Sequence, residues 1–186
     1  MKIIHCSDLH LDSALRSNLP QEKAQIRNAE LCRAFGRLVA FAKQEQIDAV
    51  LIAGDLFDSP YVSRRTAEYV LETVRSAAQI PFFYLRGNHD ESRNVFAEYD
   101  VPANLKTFDS QWKSYRCAQA VITAIEPEGS GWLTMYDSLQ LDKDAMNIVM
   151  LHGQIAGHVM PDDSDRLLSA TADGQDGSGK GGILLE

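Results

Sequence analysis

Four short stretches of the chain carry side chains that could do chemistry together: Asp8 and His10 in SDLH, Asp55 and Asp58 in GDLFD, Asn88, His89 and Asp90 in GNHD, and His152 in LHG. Carboxylates, imidazoles and a carboxamide make a mixed oxygen and nitrogen donor set. Such a set suits Mn²⁺, Fe or Zn²⁺ better than Mg²⁺ or Ca²⁺, and its lack of thiolates argues against a closed structural zinc site. Asp8 and His10, one residue apart, can face one ion only where the backbone has stopped alternating as a strand does. Asp55 can use both carboxylate oxygens to bridge two ions, Asn88 offers a carbonyl oxygen, and His152 offers a ring nitrogen. Two ions about 3.5 to 4 Å apart would clamp a phosphate, polarise phosphorus and acidify a bridging water to hydroxide at neutral pH. That is phosphoester hydrolysis. His89, next to Asn88 but on the other side of the turn, would protonate the leaving oxygen, with Asp90 or Asp58 to orient it. Taken singly, each stretch could equally be a turn rich in Gly, Asn and Asp with no chemistry at all.

What separates these readings is where the stretches fall. Each follows an apolar run: Lys2 to Cys6, the run in DAVLIAGD from Asp48, the run in IPFFYLRGNHD from Ile80, and NIVMLHG from Asn147. Continuous apolar runs bounded by Gly and Asp read as strands buried on both faces of a parallel sheet. Between the first two, Gln21 to Gln46 repeats Ala24, Asn28, Leu31, Phe35, Leu38 and Ala42 on one helical stripe, with Pro20 fitting its first turn. A second helix is expected from Ser63 to Ala78, with Val70, Leu71 and Val74 inside it. Strand, helix, strand, helix, strand predicts right-handed crossovers and helices on the sheet faces. The carboxyl ends of parallel strands share one edge, where ligands bind, so the four polar stretches converge. Arg116 to Ile125 reads as one further strand and EPEGSG as a loop.

The bulk properties restrict the setting. A chain of 186 residues, 45% hydrophobic and 24% charged, is long enough for one core and short for two. The expected organisation is a domain over 1–160 and a flexible tail over 161–186, where TADGQDGSGKGG is almost without apolar residues. No apolar run is long enough to cross a bilayer and the amino terminus carries no signal-peptide core, so no membrane role is expected. Cys6, Cys32 and Cys117 are odd in number and lack CxxC spacing, which fits a reducing cytoplasm. A net charge of -8 argues against a general phosphate-coating nucleic-acid binder, though metal ions at carboxylates could still invert the local field for a phosphate substrate. Elsewhere, His5 reads as a sheet histidine, and Arg64 and Arg65 as a solvated helix start. Arg86 could meet a phosphate or balance a carboxylate, and Trp112 and Trp132 should pack under the later loops.

At the four stretches the sequence resembles the calcineurin-like metallophosphoesterases. Their pattern is D-x-H, then G-D-x-x-D, then G-N-H-D or G-N-H-E, then a lone His, then G-H-x-H. The first four occur here in order as DLH, GDLFD, GNHD and LHG, between Met1 and about Gly153. The resemblance implies an α/β sandwich of mixed, largely parallel sheet flanked by helices. It implies two divalent ions held by Asp8, His10, Asp55, Asn88 and His152, with His89 as catalytic acid, Asp90 beside it in the catalytic group and Asp58 in support. Within the family, LIAGDLFDS and FYLRGNHDES look most like the SbcD-type DNA repair exonucleases. That branch implies Mn²⁺ ahead of Fe or Zn²⁺, a phosphodiester substrate that is DNA, and an ATPase partner subunit of the SbcC type. Phosphatase or cyclic-nucleotide phosphodiesterase activity is the alternative within the family. The fifth motif departs from the pattern: GHVM at Gly157 has no second His, so His158 reads as a loop residue. The domain is therefore expected to be C-terminally incomplete, with GGILLE as the start of a missing helix, and a truncated relative that only binds metal or a partner is a further alternative.

Overall fold

The computed structural model describes residues 1–13, 20–58, 62–90, 95–126 and 135–155, and the backbone course of 167–168 and 181–185. His158, Trp132 and most of the expected tail lie outside the described residues.

Four strands, β1 (Ile3–Cys6), β2 (Ala49–Ala53), β3 (Phe82–Leu85) and β4 (Leu105–Thr107), form one all-parallel sheet in that spatial order. Every residue of β2 and β3 is buried, which is why these strands are apolar throughout rather than alternating. One face packs under two helices, α1 (Gln21–Gln44) and α2 (Arg64–Arg75). There Phe35, Val39, Ala42, Val70 and Val74 meet Val50, Ile52, Phe82 and Tyr84. The alternate residues, Leu51, Ala53, Phe83 and Leu85, form a second core with Ile122, Ala124, Ile148 and Met150.

Those partners come from a second sheet of β5 (Lys113–Cys117), β6 (Ala120–Ala124) and β7 (Met146–Leu151). β6 and β7 are parallel and β5 and β6 antiparallel. Two residue pairs, β8 (Gln154–Ile155) and β9 (Leu167–Leu168), run parallel to each other. The last strand, β10 (Gly181–Leu185), lies parallel to β7 at the end of the second sheet. The α/β sandwich of mixed, largely parallel sheets with helices on a face is thus as the sequence implies.

Several details differ from the sequence reading. Arg116 to Ile125 is not one strand but the β5–β6 hairpin, which reverses at Ala118, a residue at φ 52° with no Gly or Asn to announce the turn. Helix α1 stops at Gln44 rather than Gln46, because Gln46 sits at φ 52° and Ile47 N–H returns to Ala42 O at 3.0 Å. Helix α2 begins one residue later than expected, with Ser63 as its N-cap accepting from Thr66 N–H at 3.3 Å. It ends three residues earlier than expected, where Ala77 N–H bonds Val74 O. Gly181–Leu185, expected within a tail or as the start of a helix, is strand.

Candidate metal centre

The loops that leave β1 and β2 do not separate where the strands end. Asp8 N–H donates to Gly54 O at 3.2 Å, His10 N–H to Asp55 O at 3.0 Å, Leu11 N–H to Leu56 O at 2.9 Å, and Asp58 N–H to Leu11 O at 3.2 Å. Within this zipped pair Asp8, His10 and Asp55 all lie in the left-handed region, at φ 52°, 43° and 50°. Asp and His enter that region more readily than most residues, yet each such position costs on the order of 1–3 kcal/mol. Burial of Leu11, Leu56 and Phe57, all at most 1% exposed, anchors the loops against that cost. The strain ends the two-residue alternation, so Asp8 and His10 turn to the same side, with Asp8 Oδ1 3.7 Å from His10 Nε2.

Asp8, His10 and Asp55 bring one donor atom each within 4.8 Å of one another. From the second sheet, His152 follows β7 and lays its ring across the end of β2. Its Nδ1 is 2.9 Å from Ala53 O, and its Nε2 is 3.0 Å from Asn88 Oδ1 and 3.5 Å from Asp55 Oδ2. The other Asp55 oxygen accepts His89 N–H at 3.0 Å. Two glycines permit this closeness. A Cβ on Gly54, itself at φ 94°, would lie 2.0 Å from His152 Nδ1, and a Cβ on Gly87 would lie 2.0 Å from Asp55 Oδ1.

The donor chemistry fits a cation. Both His152 nitrogens lie beside oxygen atoms, a setting that favours the protonated ring. Burial pulls its pKa down, but hydrogen bonds to Asp55 and Ala53 O and the Asp55 and Asp8 charges overcome this and push it up to about 9. Burial pushes Asp55 up as well, and its bonds with His152 and His89 N–H more than reverse this, leaving it below the ordinary carboxylate value. A metal ion in place of the Nε2 proton would meet the same oxygens of Asn88 and Asp55. His10 Nδ1 is also buried with no hydrogen-bond partner among the described residues.

The sequence reading sets Asp90 beside His89 in the catalytic group with Asp58 in support, either one able to orient the ring; the structure puts them in different places. Asp58 Oδ1 is 3.0 Å from His89 Nδ1 and 3.4 Å from His10 Nδ1, and the two imidazoles meet edge to face at 5.1 Å between ring centres. Asp90 is buried and accepts backbone N–H groups of Phe57 at 2.8 Å, Gly87 at 2.9 Å and Leu56 at 3.3 Å. It therefore ties the turn after β3 to the loop after β2 and does not orient His89. Burial raises its pKa against the pull of those bonds.

The family described as calcineurin-like phosphoesterase matches residues 1–176, which takes in every residue of this centre. The chain belongs to this family. The chain is 35% identical over 100 residues to the DNA double-strand break repair protein Mre11 of Methanosarcina acetivorans, covering 51% of this chain and 15% of that one. It is 30% identical over 99 residues to one of the subunits of the nuclease SbcCD of Staphylococcus saprophyticus, covering 51% and 24%. The chain thus matches less than a quarter of the length of either relative. The solved structure of Yfce, a phosphoesterase from E. coli, aligns with TM-score 0.40 at 16% identity over 80% of this chain and 68% of that one.

Other sequence expectations resolve around the site. Arg86 meets Glu126, which follows β6: its Nε donates to Glu126 Oε2 at 2.7 Å and its N–H to Oε1 at 2.9 Å, so charge balance is its visible role. Trp112 packs under the later loop and donates from Nε1 to Met135 O at 2.7 Å. Arg64 pairs with Glu68 on the exposed face of α2, and His5 stays half-buried in β1. The sequence reading missed Ser13 and Glu126. Ser13 lies in a loop that no motif covers, and the only signal for Glu126 is its place at a strand end.

Proposed function

We propose that this chain is a metal-dependent phosphodiesterase of the DNA exonuclease type that works with two divalent ions. The observation that carries the reading is the convergence of Asp8, His10, Asp55, Asn88 and His152 from four strand ends of two sheets, beside a His89–Asp58 pair. Asp8, His10 and Asp55 would hold one ion, and Asp55, Asn88 and His152 the other. The ions would supply Lewis acidity toward phosphorus and a lowered pKa for water. The mixed carboxylate, imidazole and carboxamide donors accommodate Mn²⁺, Fe or Zn²⁺, and Mn²⁺ is the pair proposed from the resemblance to the exonuclease branch.

The chain's own residues do the rest. Asp55, at the start of the strained loop, presents one oxygen to each side while His89 N–H fixes its plane. His89, with its side chain 48% exposed, faces solvent where a substrate would enter and gives the leaving oxygen a proton. Asp58 stabilises the protonated ring from Nδ1, and Asp90 acts as a positioning residue through the backbone. Because the chain carries a net charge of -8, its hold on a DNA backbone would depend on the bound cations.

DNA as the substrate is supported by the names of the relatives, a DNA double-strand break repair protein and a nuclease subunit. The second of these belongs by name to an SbcCD nuclease, and an ATPase of the SbcC type is the partner proposed for this chain. Residues 1–160 are proposed as the phosphoesterase domain and the cytoplasm as its location. Among the described residues no helix is long and apolar enough to cross a membrane.

The test gives the purified chain Mn²⁺ and end-labelled single- and double-stranded DNA, with a phosphomonoester and a cyclic nucleotide alongside. Degradation of DNA from an end, lost in His89→Ala, is expected. Turnover of only the monoester or the cyclic nucleotide would replace the exonuclease reading with a phosphatase or a cyclic-nucleotide phosphodiesterase.

A further inference from the structure

One oxygen of Asp58 lies against two imidazoles, nearer to His89 than to His10, and rotation of the carboxylate would change both distances. Its Oδ1 lies 3.0 Å from His89 Nδ1 and 3.4 Å from His10 Nδ1. Its Oδ2 accepts a short hydrogen bond from the hydroxyl of Ser13. Ser13 is itself well placed to be a fixed point. It is 8% exposed, its N–H donates to His10 O at 3.2 Å, and its carbonyl accepts from Asn28 Nδ2 of α1 at 2.8 Å. A chain of contacts therefore runs from helix α1 through Asn28, Ser13 and Asp58 to His89.

We propose that Ser13 is a positioning residue for proton transfer by His89: its hydroxyl occupies Asp58 Oδ2 and so keeps Oδ1 on His89 Nδ1. This rests on the reading of His89 as the general acid. The physical argument is one of capacity. A carboxylate with one oxygen satisfied by a buried donor has a fixed plane, whereas Asp58 without Ser13 would be free to turn Oδ2 toward either ring or toward water. His89 would then lose a defined tautomer, and with it part of the factor of about 10² to 10⁴ that a positioned general acid contributes.

The distinguishing experiment uses leaving groups. A nitrophenolate departs with little need of a proton, while the alkoxide leaving from DNA needs one. Ser13→Ala should slow hydrolysis of DNA about tenfold through kcat, leave KM nearly unchanged, and slow bis(p-nitrophenyl) phosphate by less than about twofold. Ser13→Thr keeps the hydroxyl and should recover most of the DNA rate. In the metal-free chain, long-range ¹H–¹⁵N NMR should show one His89 tautomer in the wild type and in Ser13→Thr, and a mixture in Ser13→Ala. Equal slowing of both substrates, or an unchanged His89 tautomer, would overturn the role of Ser13. A wild-type chain that hydrolyses neither substrate would instead overturn the function on which it rests, and the NMR comparison would still decide whether Ser13 fixes the ring.

Discussion

At the scale of single residues, the site is built by placing ordinary side chains on a backbone that few residues would tolerate. Asp8, His10 and Asp55 sit at positive φ, and Gly54 and Gly87 leave room for the His152 ring and the Asp55 carboxylate. Gly54→Ala adds a methyl group 2.0 Å from His152 Nδ1 at a φ of 94°. The expected cost is about 2–4 kcal/mol, combining overpacking with left-handed strain, and Mn²⁺ affinity should fall with it; urea denaturation and calorimetry would measure the two. His152 provides a pH test. Its folded pKa of about 9 stands above the 6.5 of a free histidine, so its stabilisation is complete below about pH 6.5 and is lost as pH rises through about 9. Melting of the metal-free chain in chelator should therefore move to lower temperature across that window, and His152→Ala should flatten the trend; an unchanged wild-type profile would refute the double protonation. The residues proposed as ligands could be picked out in the sequence because Asp, His and Asn after apolar runs are rare in combination. The division of labour between Asp58 and Asp90 was not, because both follow a motif His or Gly at similar spacing and only burial separates them.

At the scale of elements, the crossovers between parallel strands fix where the loops emerge. β2 and β3 could be read directly, since a strand buried on both faces has an unbroken apolar run. β4 could not, because three residues are too short for a pattern to register, nor could the β5–β6 reversal at Ala118, which carries no turn residue. One side chain organises the return from α2. Asn104 Nδ2 lies 3.0 Å from each of the carbonyls of Val74, Ala77 and Ile80, closing the carboxyl end of the helix and the turn into β3. Asn104→Leu removes the side-chain donor from Ile80 O and a second donor from Val74 O and Ala77 O, which keep their backbone partners, and should cost roughly 1–3 kcal/mol in urea denaturation. Because Asn104 touches none of the ligand residues, the Mn²⁺ dependence of the remaining folded protein should be unchanged. A selective loss of metal binding in this variant would mean that α2 and its following turn, rather than the strand ends, set the geometry of the site.

For the whole molecule, the candidate centre exists only because two sheets meet: His152 comes from the second and every other ligand from the first. The apolar faces of both sheets hold them together, and the Arg86–Glu126 pair pins them next to the site. Glu126→Ala should destabilise the chain by roughly 1.5–3 kcal/mol in thermal unfolding, as expected for losing a charged hydrogen-bond partner. It should also weaken Mn²⁺ binding by letting the GNHD turn drift from β7. The two-sheet arrangement was legible only in outline, since unbroken apolar runs in buried strands say that both faces are covered but not by what. Membership in the calcineurin-like phosphoesterases adds a chemistry to this architecture without naming the substrate. The most direct test of the central claim is the rate of phosphodiester hydrolysis by the purified chain as Mn²⁺ is titrated, for wild type and for Asp55→Ala. The account predicts turnover that saturates with Mn²⁺, disappears on chelation and falls at least about a hundredfold in Asp55→Ala. Turnover that is indifferent to Mn²⁺, or that survives loss of the Asp55 carboxylate, would contradict it.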